Sequence, residues 1–233
     1  MNTSSIKHVF FDLDNTLWDF GNNSKKILYS IYQNFKLDEM GISSFELFHK
    51  QYAFRNEMLW KEYKVGTKTK EEVRIQRFRH TLYDHGIDNN LMAHELADFY
   101  IENTKKVKDL LPGAIETLDK LSEKYILHVI TNGFDEVQFF KIKNSGIDHY
   151  FKTVTTAEQA GVLKPEPAIF ELSLKKARAS ARNSVYIGDS PEADGKGALN
   201  AGMNFIWFNY KGEENTYKFD YVVHGLQELT NNL

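Results

Sequence analysis

Two aspartates, Asp12 and Asp14, follow a short apolar run near the start of the chain. Residues two apart on an extended segment point to the same side, so both carboxylates can address one small volume. Carboxylates that lie this close repel each other unless a cation shares them. A calcium-binding loop does not fit, because Leu17 and Asn23 stand where such a loop needs Gly and Glu. A polar turn without chemistry is the alternative for this stretch taken alone.

Polar residues that could take part in the same chemistry end several later apolar runs. They are the hydroxyl of Thr131, the turn of Asn132 and Gly133, Lys164, Asp189 and Asp194. Backbone amides in a Gly-containing turn can hold an anion. Each residue alone has an ordinary explanation as a strand-end turn, a surface cation, a helix cap or a solvated acid. Their recurrence favours one site, because ligands of an open parallel sheet bind beyond the carboxyl ends of its strands.

A parallel sheet would bring these residues together at one edge, and the sequence pattern favours such a sheet. Apolar runs rich in branched and aromatic residues alternate with turns and with helical spacing, which is typical of βαβ units. The predicted strands are residues 7–13, 126–131, 153–155, 184–188 and 204–208, and residues 113–123 are a predicted helix. We therefore expect an α/β fold with a doubly wound parallel sheet. The chain's 42% hydrophobic content is sufficient to build its core.

A different pattern occupies the segment between Trp18 and about Lys106, where apolar residues recur at helical spacing without strand-like runs. The three stripes are Phe45, Phe48 and Tyr52; Ile75, Phe78 and Leu82; and Met92, Leu96 and Phe99. We expect residues 19–106 to form an all-helical insertion. Residues 1–18 and 107–233 would then form the sheet domain.

Composition narrows the class of partner. The net charge of −3 offers no broad positive field for a nucleic acid polymer or an anionic membrane, which favours a small-molecule substrate. The absence of cysteine excludes thiol catalysis, disulfides and thiolate metal sites. The apolar run near the N-terminus is too short for a signal peptide or a membrane span, so we expect a cytoplasmic protein. The sequence leaves the oligomeric state open.

The order of a carboxylate pair, a hydroxyl, a lysine and two further carboxylates resembles the haloacid dehalogenase-like (HAD) superfamily. The resemblance implies a Rossmann-like core with an inserted helical cap, and a magnesium-dependent phosphatase that forms a phospho-aspartate. Asp12 would be the nucleophile, and Asp14 would protonate the leaving oxygen and later deprotonate the hydrolytic water. Dehalogenases of this superfamily lack a carboxylate at the position of Asp14, so its presence favours phosphate chemistry.

The resemblance also implies how a metal would be bound. Mg²⁺ would be held by the carboxylates of Asp12 and Asp189 and by the backbone carbonyl of Asp14, all of them oxygen ligands. Asp194 would contact Lys164 or a metal-bound water from outside the ligand set.

Phosphoryl oxygens, on the same resemblance, would be bound by Thr131 and by the amides of Asn132 and Gly133. Lys164 would neutralise their charge and orient the nucleophile. One departure from the family pattern is Gly195, where relatives often carry an apolar residue. This difference puts the local packing in doubt.

The resemblance to one branch of the superfamily, the bacterial pyrimidine 5'-nucleotidases, lies mostly in the insertion. The residues that carry it are Leu59, Trp60, Tyr63, Gly66, Thr69, Arg77 and Phe78, with residues 131–134 and Trp207 outside the insertion. It implies a 5'-nucleotidase that acts on nucleoside monophosphates, with the cap selecting the leaving group. Trp60, Tyr63 or Trp18 could stack on a base, although aromatic residues at helical spacing more often belong to a core.

Two other functions stay open. A sugar-phosphate phosphatase or a phosphomutase would use the same core and would differ in the substrate that the cap accepts. A regulatory phospho-acceptor would also use aspartate, lysine and a hydroxyl on a doubly wound sheet, and it would act by binding a partner. Asp14 argues against the regulatory alternative, because an acid and base beside the nucleophile suits rapid hydrolysis.

Overall fold

The computed structural model describes residues 3–233, which form two compact units. The core unit comprises residues 3–20 together with Lys108–Leu233, and the helical unit comprises Gly21–Val107. Within residues 3–233, no helix is both long and apolar enough to cross a membrane.

In the part of the chain that the structure describes, six strands form the sheet of the core unit. They are β1 (His8–Phe11), β2 (Ile126–Thr131), β3 (Phe151–Thr156), β4 (Ser184–Gly188), β5 (Asn204–Phe208) and β6 (Val222–Val223). All neighbouring strands are parallel, in the order β3-β2-β1-β4-β5-β6. The chain adds strands to one side of β1 and then returns to its other side, which places a ligand crevice at the carboxyl ends of β1 and β4. The predicted α/β class and doubly wound parallel sheet are confirmed.

The helices surround the sheet or form the helical unit. In chain order they are α1 (Phe20–Asn34), α2 (Phe45–Lys64), α3 (Lys70–Asp84), α4 (Asn90–Thr104), α5 (Ala114–Ser122), α6 (Asp135–Asn144), α7 (Ala157–Ala160), α8 (Pro167–Ala177), α9 (Gly197–Asn200) and α10 (Leu229–Asn232). A π-helical turn, Pro191–Lys196, precedes α9. The predicted helix at 113–123 is α5. Strand β6 was missed, because two residues are too few to give a periodic signal.

The interior of the helical unit is formed by the three predicted stripes. They fall on α2, α3 and α4, and their side chains pack into one apolar cluster together with Ile27, Leu28 and Ile31 of α1. Side chains also fix where the helices begin. Ser44 accepts a hydrogen bond from the amide of Leu47, and Thr69 forms a capping box with Glu72. The helical prediction for these three stretches is confirmed.

Gly195 departs from the family pattern for a reason visible in the packing. A Cβ at this position would lie 2.4 Å from Cζ of Phe219 and 3.0 Å from Cε1 of Phe205. The two aromatic rings meet edge to face and fill the space that a side chain at Gly195 would need. The local packing that the sequence put in doubt is therefore completed by Phe219.

Two buried histidines join β1 and β2 inside the sheet. His8 Nδ1 lies 3.1 Å from His128 Nε2, and His128 Nδ1 lies 2.8 Å from the hydroxyl of Thr153. The ring of Phe10 stacks on His128 with a centroid separation of 4.4 Å. Burial, followed by the charge of His8, lowers the pKa of His128 to about 4. Burial also lowers the pKa of His8.

We expect this pair to make the fold sensitive to acid. Below pH 6.5 His128 becomes protonated in the unfolded chain, whereas in the folded protein it stays neutral down to about pH 4. The free energy of unfolding should therefore fall as the pH is lowered from 6.5 to about 4. His128→Gln should reduce this fall by roughly 1–3 kcal/mol, because each pKa unit corresponds to about 1.4 kcal/mol. Urea unfolding at several pH values measures this fall in the free energy of unfolding. The exposed His94 supplies the control His94→Gln, which should follow the parent. Parallel curves for the parent and His128→Gln would contradict the prediction.

Candidate active site

The predicted site residues that follow strands lie at one edge of the sheet. Asp12 follows β1, Thr131 ends β2 and Asp189 follows β4, and these three strands are neighbours. The amide of Asp12 donates to the carbonyl of Ile187, 2.8 Å away, which extends the pairing of β1 with β4 as far as Asp12. The strand order therefore brings together residues that are far apart in the sequence.

Lys164 is the centre of the hydrogen bonds at this edge. Its side chain is 3% exposed, and Nζ lies 2.5 Å from Asp12 Oδ1, 2.7 Å from Asp194 Oδ1 and 2.8 Å from the hydroxyl of Tyr186. The same hydroxyl donates to the carbonyl of Ile130, 3.0 Å away. Burial alone would lower the pKa of Lys164, but the two carboxylates outweigh it and raise the pKa above its usual value. The ammonium therefore stays charged and holds both aspartates.

The loop after β2 positions the backbone of Lys164. The side-chain oxygen of Asn132 accepts from the Lys164 amide at 2.7 Å, and its side-chain nitrogen donates to the Lys164 carbonyl at 3.1 Å. The amide of Gly133 donates to the hydroxyl of Thr131 at 3.1 Å. The side chain of Asn132 was not expected to act in this way. The phosphoryl contacts expected of Thr131 and of the two amides stay predictions.

Three carboxylates converge beside the ammonium. Oxygen atoms of Asp12, Asp189 and Asp194 all lie within 4.8 Å of one another. Asp194 is fixed by the ammonium on Oδ1 and by the amide of Ser190 on Oδ2, at 3.0 Å. A Cβ at Gly188 would lie 2.3 Å from Asp194 Oδ2, so only glycine leaves room for this carboxylate. Asp194 thus lies inside the acidic cluster as well as beside Lys164.

The electrostatics of the cluster fit a divalent cation. Burial raises the pKa of Asp12 well above its ordinary value, although Lys164 opposes the shift. Burial, followed by the charge of Asp194, raises the pKa of Asp189 to about 7. The Lys164 ammonium contacts two of the three carboxylates, and the charge of Lys211 also acts on Asp189. A cation among the carboxylates would relieve the remaining negative charge. The donor atoms are all oxygens, which is the ligand type that Mg²⁺ prefers.

Asp14 is held by two residues that the sequence did not single out. Its Oδ1 lies 2.6 Å from Nζ of Lys141, and its Oδ2 accepts from Nε2 of Gln138 at 2.9 Å. Both partners lie on α6, three residues apart and therefore on the same face of the helix. The available signal in the sequence was a pair of polar residues at this helical spacing, on the helix after the turn that follows β2. The ring of Trp18 is buried against Lys141, which leaves it unsuited to stacking on a base.

Several residues of the nucleotidase-like motif build the helical unit itself. Phe78 is buried in its interior, Thr69 caps α3, and Gly66 occupies the turn after α2 with a φ of +77°. Trp60 and Tyr63 are half-buried, and their rings meet edge to face at 5.5 Å. Most of the motif therefore supports the fold, and Trp60 and Tyr63 are its half-buried aromatic members in the helical unit.

Of the other motif residues, Leu59 is buried, and Arg77 and Trp207 have aromatic or polar partners. Arg77 is buried, with its guanidinium 4.6 Å from the ring centroid of Tyr100 and Nη1 3.3 Å from the side-chain oxygen of Asn56. Trp207 donates from Nε1 to the carbonyl of Asp189 at 2.9 Å. Trp207 thereby fixes the loop that carries one carboxylate of the acidic cluster.

Comparison with known proteins gives consistent matches. A family model described as haloacid dehalogenase-like hydrolase matches residues 9–208. The pyrimidine 5'-nucleotidase PynA of Streptococcus pneumoniae is 31% identical over 229 residues, covering 96% of this chain and 93% of PynA. A glyceraldehyde 3-phosphate phosphatase of Pyrococcus abyssi is 29% identical over 207 residues, covering 88% of this chain and 82% of that protein.

A solved structure matches over nearly the whole chain. The magnesium-bound crystal structure of YfnB from Bacillus subtilis has a TM-score of 0.87 and 26% identity, and the match covers 98% of each chain. Together with the family match, it confirms the resemblance that the order of the site residues predicted.

Asp189→Asn should stabilise the metal-free protein at pH 8 and abolish stabilisation by Mg²⁺. Because burial raises the pKa of Asp189 to about 7, its ionised form is costly at pH 8, and the cost shrinks as the pH falls from 7 to 5. The expected gain at pH 8 is on the order of 1–3 kcal/mol. Urea unfolding with a chelator or with Mg²⁺ measures both effects. The exposed Asp88 supplies the control Asp88→Asn. Equal stabilisation of Asp189→Asn and the parent by Mg²⁺ would contradict the assignment.

Proposed function

The chain belongs to the haloacid dehalogenase-like hydrolases, and on that premise we propose that it is a magnesium-dependent phosphatase acting through a phospho-aspartate. The observation that carries the proposal is the buried Lys164 ammonium, which holds Asp12 at 2.5 Å among converging carboxylates. A carboxylate fixed at the carboxyl end of a central strand is positioned to act as a nucleophile.

The reaction has two steps in this proposal. An oxygen of Asp12 attacks phosphorus, the bond from phosphorus to the leaving oxygen breaks, and Asp14 gives that oxygen a proton. A water oxygen then attacks the phosphorus of the acyl phosphate, and the electron pair of the broken bond returns to Asp12. Asp14 takes the proton of the water and is ready to act as an acid again. One carboxyl group thus serves both steps.

The other site residues stabilise charge. Lys164 would orient Asp12 and offset the charge of the transferred group, and Thr131 with the amides of Asn132 and Gly133 would bind its oxygens. The Asp12 and Asp189 carboxylates and the Asp14 backbone carbonyl would hold Mg²⁺. The bound ion would supply electrostatic stabilisation of the phosphoryl group. Asp194 would keep Lys164 in place.

A 5'-nucleotidase acting on pyrimidine nucleoside monophosphates is the substrate assignment we favour. It is supported by the match to PynA over nearly the whole chain and by the motif in the helical unit. We propose that this unit is a cap that selects the leaving group, with Trp60 and Tyr63 as the candidates for contact with a base. The match to a glyceraldehyde 3-phosphate phosphatase supports a sugar-phosphate phosphatase as the second candidate.

Asp12→Asn should abolish turnover without unfolding the protein. The amide cannot attack phosphorus, so we expect kcat to fall by at least about 10⁴-fold, as when other enzymes lose their nucleophile. The fold should persist, because Asn has nearly the same volume and Lys164 keeps its contact with Asp194. Phosphate release and circular dichroism measure the two effects. Retained turnover in a folded variant would reject Asp12 as the nucleophile.

Substrate class should be resolved by phosphate release from a panel, with Mg²⁺ and with a chelator. We expect metal-dependent release, fastest from pyrimidine monophosphates, because the motif and the match to PynA point to that class. The panel also needs purine monophosphates, sugar phosphates and an aryl phosphate.

Preference for sugar phosphates in the same panel would keep the mechanism and replace the substrate. An acyl phosphate that forms from a phosphodonor and persists, without phosphate release, would instead favour a regulatory phospho-acceptor.

A further inference from the structure

The side chain of Lys141 is buried at a position that α6 could fill with an apolar residue. It is 4% exposed, and within residues 3–233 its carboxylate partner is Asp14, whose side chain is 25% exposed. Removing an ammonium from water costs several kcal/mol unless a well-placed partner offsets it. One ion pair with a partly exposed carboxylate offsets only part of that cost. The placement of Lys141 therefore calls for a role beyond packing.

Aromatic rings fix the ammonium of Lys141 in place. Nζ lies 4.2 Å from the ring centroid of Trp18 and 5.6 Å from that of Phe20, both within the range of cation–π attraction. Trp18 belongs to the same tight turn as Asp14, because its amide donates to the carbonyl of Leu13 at 2.8 Å. One short segment thus supplies both the carboxylate and the ring that Lys141 contacts.

Gln138 fixes the second oxygen of the same carboxylate. Its side chain is buried and packs over the turn after β2, where a Cβ at Gly133 would lie 1.5 Å from Nε2. The glycine thus makes room for the amide that donates to Asp14 Oδ2. With one donor on each oxygen, the carboxyl group of Asp14 cannot turn freely.

We propose that Lys141 and Gln138 are positioning residues that hold Asp14 for its two proton transfers; this inference rests on the proposed function. A carboxylate has about four lone-pair sites, two on each oxygen. The two donors from α6 occupy one site on each oxygen and leave one on each for a leaving oxygen or a water. A general acid or base works only within hydrogen-bond reach of its target. The orientation of Asp14 therefore determines how efficiently it transfers a proton.

The two steps depend differently on this positioning. In the first step a nucleoside leaves as an alkoxide, which needs the proton of Asp14, whereas 4-nitrophenolate is a stable anion and needs little help. In the second step the water gives its proton to Asp14 whichever substrate was used. Loss of positioning should therefore slow both steps for a nucleotide, and chiefly the second step for 4-nitrophenyl phosphate.

Lys141→Met, which keeps the length and apolar stem, tests the proposal in steady-state and rapid-mixing assays. We expect kcat for UMP to fall about 100-fold, the lower end of what acid–base catalysis contributes, with little change in KM. With 4-nitrophenyl phosphate, we expect a burst close to one 4-nitrophenol per enzyme, followed by slow turnover.

Matched variants separate positioning from stability. Lys141→Arg keeps the cation and should recover most of the activity, and Gln138→Leu should show the same burst with a smaller loss, about 10-fold. Lys143 lies on the same helix but is exposed, so Lys143→Met should behave as the parent.

Three results would overturn the proposal. One is an equal loss with both substrates and a burst reduced in the same proportion, which would mean that Lys141 only stabilises the fold. Another is a faster Lys141→Met, which would make the lysine a restraint on Asp14. The third is unchanged kinetics. A parent protein that releases phosphate from no substrate would instead reject the proposed function itself, a result that is separate from any comparison of variants.

Discussion

The buried ammonium of Lys164 is the interaction on which the arrangement of the site depends. It joins the residue after β1 to the π-helical turn after β4, through Asp12 and Asp194. Tyr186 connects it to the carbonyl of Ile130 near the end of β2. Neither side of this network could be buried alone. An unpaired ammonium or a group of unpaired carboxylates would cost several kcal/mol per charge. The sheet order β2-β1-β4 is what allows the opposite charges to meet.

The balance of charge also explains why the site is suited to a cation and an anion together. Three carboxylates against the Lys164 ammonium leave a negative excess, which a divalent cation would neutralise. Once the repulsion is neutralised in this way, an anionic phosphoryl group could approach the same carboxylates. The site therefore packs closely together charges that a bound cation would balance. Glycines at positions 133 and 188 permit this density, because side chains there would overlap Gln138 and Asp194.

Much of the fold could be predicted because it depends on periodicity. Strands β1 to β5 and the helices of the three stripes follow from apolar runs and helical spacing. Contacts that depend on the direction of one side chain could not be predicted. Lys141 and Gln138 read as ordinary polar residues of a surface helix until α6 is placed against Asp14. The same holds for Asn132, whose side chain binds the backbone of Lys164, a contact that the resemblance did not point to.

Substrate identity is the property that the sequence motif constrains least, and the structure gives a physical reason. Most of the motif in the helical unit consists of interior, capping or turn residues, such as Phe78, Thr69 and Gly66. Such residues are shared by proteins that share a scaffold, whatever the scaffold binds. A nucleotidase and a sugar-phosphate phosphatase can therefore both match this chain along most of its length. The proposed discrimination between leaving groups would then depend on side chains that the scaffold leaves partly exposed, and Trp60 and Tyr63 are the half-buried aromatic members of the motif in the helical unit.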